Sequence, residues 1–111
     1  MGNRAPPELL QGTVDVLILK ALAWEPMHGY AISAWIAQRS KDALALQGAA
    51  LYQALHRLER ERHVAAEWGT SENNRKAKFY SLTPAGRARL KADSATWRNY
   101  AAAVTRVLTA S

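Results

Sequence analysis

Three basic residues lie close together in this 111-residue chain: Arg75, Lys76 and Lys78. Like charges held together repel, and a polyanion such as a nucleic-acid backbone relieves that repulsion. Asn73 and Asn74 precede them and carry amides that can bond phosphate oxygens. The net charge of +6 and the pI of about 10.1 favour the same kind of partner. Taken alone, this polar segment is equally well explained as a solvated turn.

A second group of polar side chains is predicted on a helix from about Gly48 to Arg62. At ~100° per residue, its leucines and Ala54 share one face, and a mixed set of side chains faces away. On DNA such a helix would lie in the major groove, where Gln53 could bond adenine and Arg57 could bond guanine. Surface helices generally carry polar residues outward, so this helix alone favours DNA only slightly. The outward set is Ala49, Gln53, His56 and Arg60, with Tyr52 and Arg57 beside it.

The sequence gives little support to catalytic or metal-binding chemistry. The chain has no cysteine, and none of His28, His56 and His63 has a second histidine four residues away. The serines lie in no nucleophile motif, and no glycine-rich loop could cradle a phosphate. We therefore predict a protein that is not an enzyme and has no metal or other cofactor. The histidines are predicted to be surface or capping residues.

Four predicted helices and one hairpin must position these groups. Apolar spacing indicates the helices, Pro26 ends the first of them, and Thr83 is the predicted N-cap of the last. Two runs of alternating apolar and polar residues predict strands on either side of a polar loop. The helices are predicted over about Glu8–Ala23, from Tyr30 to Ser40–Asp42, Gly48–Arg62 and Pro84–Leu108, and the strands within Val64–Trp68 and Lys78–Leu82.

The last predicted helix carries a heptad pattern, in which small and apolar residues recur at alternating steps of four and three. Such a seam needs a partner helix, from its own domain or from a second copy. Small residues on both sides of Trp97 suit interdigitation with a second copy, so we predict a homodimer. Trp97 could also line a pocket for a small aromatic effector, although ordinary dimer core is the favoured interpretation. The seam consists of Leu90, Ser94, Trp97, Ala101, Val104 and Leu108.

These parts predict a mainly α fold with a small β-hairpin: a winged helix-turn-helix plus a C-terminal dimerisation helix. We expect an N-terminal arm over residues 1–8, a DNA-binding domain over 9–83 and the dimerisation helix over 84–111. No apolar run approaches the ~20 residues that span a membrane, and the first residues lack the pattern of a signal peptide. A cytoplasmic protein with no membrane partner is therefore expected.

Four segments carry specific motifs: residues 10–22 (LQGTVDVLILKAL), 28–32 (HGYAI), 50–59 (ALYQALHRLE) and 68–86. Together they resemble the PadR family of transcriptional regulators, in its compact subgroup with one short C-terminal helix. The resemblance implies a homodimeric regulator, usually a repressor, that binds double-stranded DNA at a pseudo-palindromic operator. We predict base contacts from Ala50, Gln53, His56 and Arg57, phosphate contacts from Tyr52, Arg75, Lys76 and Lys78, and a further DNA contact from Asn74.

The sequence departs from the family pattern at two places. Gln53 stands where the family usually has proline, which restores a backbone N–H and adds a long amide on the DNA-facing side. Arg62 and His63 replace the usual Gly-Leu after the third helix. A left-handed arginine at that helix end would cost on the order of 1 kcal/mol. The alternative function is a winged-helix module that binds protein without binding DNA, and salt-dependent binding to duplex DNA would distinguish the two.

Overall fold

The computed structural model describes residues 11–46 and 48–111. Within these residues there are four helices and a small three-stranded antiparallel sheet, which confirms the mainly helical fold class with a small sheet. The predicted arm and the start of the first predicted helix lie outside the described residues. The elements are α1 (Gln11–Trp24), β1 (Met27–His28), α2 (Gly29–Arg39), α3 (Ala49–Arg60), β2 (Val64–Thr70), β3 (Lys76–Leu82) and α4 (Pro84–Leu108).

One hydrophobic core holds α1, α2 and α3 against the sheet. Its centre consists of leucine and isoleucine side chains from all three helices, each of which contributes about 1.5–3 kcal/mol by leaving water. Because these residues recur at helical spacing, burying them fixes which face of each helix points outward. The largest fully buried apolar side chains are Ile18, Leu19, Ile32, Leu51, Leu55, Leu58 and Val64.

The sheet has the strand order β1-β3-β2, and β1 was not predicted from the sequence, which indicated a turn at Glu25–Gly29. A strand of two residues has no periodicity to detect, and its pairing with β3 is a long-range contact. The strand leads directly into α2, where His28 Nδ1 accepts a hydrogen bond from the Ala31 N–H at 3.2 Å. The His28 ring also packs edge-on against Phe79 at 5.3 Å. The predicted capping role of a histidine is therefore confirmed here.

The start of α4 is locked against the start of β2. As predicted, Thr83 is the N-cap, and its side chain accepts a hydrogen bond from the Gly86 N–H at 3.0 Å. Its hydroxyl and its N–H also donate to the His63 carbonyl, at 3.0 and 3.2 Å. A Cβ at Gly86 would lie 2.0 Å from that same carbonyl oxygen, so only glycine permits this approach.

The end of α3 adopts the left-handed conformation expected at Arg62, with φ +66°. The N–H of Arg62 donates to the Glu59 carbonyl and that of His63 to the Leu58 carbonyl, each at 2.9 Å. These two bonds form a Schellman motif, which normally has glycine at the left-handed position. The hydrogen bonds of the turn hold Arg62 in a conformation that its Cβ disfavours.

We expect Arg62→Gly to raise the free energy of unfolding by about 0.5–1 kcal/mol, because glycine has no Cβ penalty at positive φ. The same substitution at Arg60, in the last turn of α3, should lower it by up to about 1 kcal/mol. Thermal unfolding followed by circular dichroism measures both. A lower melting temperature for Arg62→Gly would contradict this account of the helix end.

Candidate nucleic-acid interface

The outward face of α3 is exposed as its periodicity predicted. Leu51, Ala54, Leu55 and Leu58 are buried against the core. Since α3 begins with two exposed alanines, Ala49 and Ala50, a large partner could approach its backbone closely. The exposed side chains on this face are Ala49, Ala50, Tyr52, Gln53, His56 and Arg60.

The β2–β3 hairpin presents one cationic face. Side chains alternate across a strand, and in the antiparallel register Trp68 pairs with Lys78 and Thr70 with Lys76. These residues therefore share one face, while Glu67 and its partner Phe79 share the other. The register thus separates the lysines of β3 from the acid of β2.

The cationic face of the hairpin borders a cleft of about 550 Å³ between the hairpin and α3. We call this space the wing cleft. The Tyr52 ring reaches across to the start of α2, where a Cβ on Gly29 would lie 2.6 Å from the Tyr52 hydroxyl oxygen. Gly29 therefore makes room for Tyr52. The residues that line the wing cleft include one acid, Glu72, besides His28, Tyr30, Tyr52, His56, Trp68, Asn73, Arg75, Lys76, Lys78 and Tyr80.

The cations of the wing cleft differ in how freely they can meet a partner. Arg75 and Lys76 are exposed, with Lys76 Nζ 5.6 Å from the centre of the Trp68 ring. Lys78 is half-buried, with its Nζ 3.3 Å from a carboxylate oxygen of Glu59. Burial raises the pKa of Tyr80, against the opposing effect of Lys78, so its phenol stays neutral. The cationic potential of the cleft therefore comes mainly from Arg75 and Lys76.

The structure brings together most of the predicted site, but it places Arg57 elsewhere. Its guanidinium turns inward and Nη2 bonds Oδ1 of Asp15, which is 1% exposed. The expected base contact of Arg57 does not fit this placement. Sequence analysis also missed Tyr30 and Trp68, two exposed aromatic residues of the wing cleft. The alternation of β2 put Trp68 on one side of the strand, but only the packing of the hairpin beside α3 shows that this side lines the cleft.

Helix α4 carries an exposed apolar stripe along its C-terminal half. The predicted seam begins half-buried at Leu90, which packs on the core, and becomes exposed at Trp97 (47%) and Leu108 (77%). Two grooves, of about 540 and 280 Å³, flank Trp97 between α1 and α4. Ser94 and Ala101, the small residues of the seam, are half-buried. Large apolar side chains exposed to water over about three turns of helix are typical of an interaction surface.

Within residues 11–46 and 48–111, no helix combines the length and the apolar composition that crossing a membrane requires. The same part of the chain contains no group of three or more histidine, aspartate or glutamate side chains able to hold a metal ion.

The three helices, the hairpin and the exposed face of α3 define a winged helix-turn-helix protein. Residues 18–92 match the PadR-like family of transcriptional regulators, and the chain belongs to that family of DNA-binding proteins. It is similar to an uncharacterised protein of Lysinibacillus sphaericus, with 30% identity over 83 residues, which cover 75% of this chain and 76% of the relative.

Solved structures give the same assignment. A PadR family transcriptional regulator from Eggerthella lenta is 28% identical, with 91% of this chain and 86% of that chain covered and a TM-score of 0.75. A transcriptional regulator from Clostridium thermocellum is 26% identical, with 86% and 93% covered and a TM-score of 0.78. The resemblance found in the sequence is thereby confirmed.

Two tryptophans of nearly equal exposure allow a matched test of the wing cleft. Trp68 is 63% exposed and Trp24 is 66% exposed, and each has a cation near its ring, but only Trp68 lines the cleft. Trp68→Ala should weaken binding to duplex DNA by about 3–10-fold, because it removes an aromatic surface of the cleft and the ring against which the Lys76 ammonium lies.

The salt dependence of binding should stay the same in Trp68→Ala, because no charge is removed. Trp24→Ala should leave both affinity and salt dependence unchanged. Fluorescence anisotropy of labelled duplex DNA over a series of salt concentrations measures both quantities. Equal losses of affinity in the two variants would contradict a role of the wing cleft in DNA binding.

Proposed function

We propose that this protein is a transcriptional repressor that binds a pseudo-palindromic operator as a homodimer. The observation that carries the proposal is the wing cleft, in which exposed cations face the exposed side of α3 across a space open to solvent. A DNA strand that follows the cleft would bring its phosphates to the hairpin while α3 enters the major groove. The family to which the chain belongs supports the DNA-binding part of this proposal.

Base contacts are assigned to the exposed side of α3. Gln53 and His56 lie on it one helical turn apart, and the small Ala50 precedes them. The Gln53 amide has the donor and acceptor pair that matches adenine, and His56 can bond purine acceptors. Arg57 is left out, because Asp15 holds its guanidinium inside the domain.

Phosphate contacts are assigned to the two sides of the wing cleft. Tyr52 contributes its hydroxyl from α3, while Arg75 and Lys76 contribute exposed charges from the hairpin. Asn74 occupies a left-handed position at the hairpin tip, with φ +60°, and its amide is exposed. Lys78 already bonds Glu59, so we assign it a smaller share of the phosphate charge.

The apolar stripe of α4 supports the homodimer. A second copy related by two-fold symmetry would cover Trp97, Val104 and Leu108. Such a dimer places two reading helices roughly 34 Å apart, one turn of DNA. The grooves beside Trp97 would adjoin that interface and could admit a planar aromatic effector, whereas packing as ordinary dimer core would fill them. A repressor of this kind acts in the cytoplasm.

The proposal is tested by the salt dependence of DNA binding. Replacing both Arg75 and Lys76 with alanine should weaken binding to all sequences and lower the slope of log K against log salt by about 1.8, at ~0.9 for each phosphate contact. Replacing Arg87 and Lys91, two exposed cations of α4, removes the same charge away from the cleft and should leave the slope unchanged.

The two double variants also separate the proposal from the alternative of a protein-binding module. Equal slopes in the wild type and in the Arg75/Lys76 variant would show that the hairpin does not contact phosphates. Absence of salt-dependent binding to any duplex by the wild type would favour a winged-helix module that binds only protein.

A further inference from the structure

A buried ionic cluster connects the helix that faces DNA to the helix that carries the apolar stripe. The Asp15 carboxylate of α1 uses both oxygens: Oδ1 accepts from Arg57 Nη2 of α3, and Oδ2 accepts from Arg89 Nη2 of α4 at 2.8 Å. Burying a charge costs several kcal/mol unless its partners are well placed. Three helices are therefore held together at one residue.

Arg89 makes further bonds in the same cluster. Its Nε donates to Asp93 Oδ2 at 3.0 Å, and its Nη1 donates to Glu61 Oε1 at 3.3 Å. Glu61 is the C-cap of α3, so α4 is joined to α3 directly as well as through Asp15. Burial alone would lower the pKa of Arg89, but the carboxylates of Asp15 and Asp93 raise it, and the guanidinium stays charged. We call Asp15, Arg57, Glu61 and Arg89 the helix clamp.

The guanidinium geometry makes this connection directional. A guanidinium is planar and its N–H groups diverge at fixed angles, so partners on three sides define the orientation of Arg89 relative to both helices. A lysine would preserve the charge but offer a single point of contact. Within the described residues, Arg57 Nε is buried and has no hydrogen-bond partner. The bond from Arg57 Nη2 to Asp15 offsets the free-energy cost of this unpaired N–H. The arrangement fixes an angle between α3 and α4 that apolar packing alone would fix less sharply.

That angle has a large effect at a distance. From Arg89 to Leu108, α4 spans about 29 Å at ~1.5 Å per residue, so a rotation of about 7° at the helix clamp moves its far end by about 3.5 Å. One base-pair step is also about 3.4 Å. In a dimer joined along α4, the angle held by the clamp thus determines how far apart the two reading helices lie.

We propose that Arg89 is a positioning residue that selects the spacing between the two half-sites of the operator. The inference rests on the homodimer and the DNA binding proposed above. It assigns no contact with DNA to Arg89 and therefore predicts no change in which bases are preferred within a half-site. A residue that only stabilised the fold would weaken binding at every spacing alike.

The test uses synthetic duplexes that carry two inverted copies of the half-site enriched from a random duplex pool, separated in steps of one base pair. The wild type should prefer its best spacing over the neighbouring spacings by about tenfold, and Arg89→Lys should reduce this preference to about threefold. Arg87→Lys, an exposed position two residues earlier in α4, should keep the wild-type preference.

Glu61→Gln is the second variant, since it loosens only the half-exposed part of the clamp and leaves Asp15 paired with both arginines. It should broaden the spacing preference in the same direction but less. Sedimentation and thermal unfolding establish that each variant is a folded dimer. An unchanged spacing profile in folded, dimeric Arg89→Lys or, where that variant does not fold, in Glu61→Gln would overturn the inference. A wild type that is monomeric or binds no DNA would instead overturn the proposed function on which the inference depends.

Discussion

The buried carboxylate of Asp15 is the interaction on which the arrangement of the helices depends. An ionised carboxylate at the centre of a small domain is tolerated only when cations are supplied to it, and here they come from α3 and α4. The ion pair with Arg57 adds to the burial of the α3 leucines, which turns Gln53 and His56 outward. The ion pair with Arg89, together with the packing of Leu90 on the core, holds the start of α4 against the domain. The outward face of α3 and the helix that carries the apolar stripe are thus connected through one buried charge.

The molecule has two different surfaces besides this buried charge: the cationic wing cleft and the apolar stripe of α4. Strand alternation puts Trp68 and the β3 lysines on the side of α3, and Glu67 on the other side. The apolar stripe lies on α4, and none of the described residues of α4 lines the wing cleft. The exposed cations and the exposed apolar area therefore lie on different elements. In the proposed homodimer, one folded unit would bind DNA through the first surface and a second copy through the other.

Much of this architecture was predictable from local patterns, and the parts that were not depend on distant residues. The helices and the cap at Thr83 follow from apolar spacing, proline and a side-chain oxygen acting over three or four residues. Arg57 was predicted to face DNA because it flanks the outward side of α3, whereas its partner Asp15 lies 42 positions earlier. The strand β1 was missed for the same reason, since its two residues are defined only by pairing with β3. Periodicity predicts which face of a helix or strand is buried. It does not predict which distant residue of the chain contacts a given side chain.

The central claim is that two winged-helix domains, rigidly attached to paired α4 helices, bind DNA together. Selection of bound fragments from random duplex DNA by the full chain, followed by footprinting of the enriched fragments, tests it most directly. The account predicts an inverted repeat whose half-sites are centred about one helical turn, or 10–10.5 base pairs, apart at a single preferred spacing. Enrichment of one isolated half-site, or of no sequence at all, would contradict it.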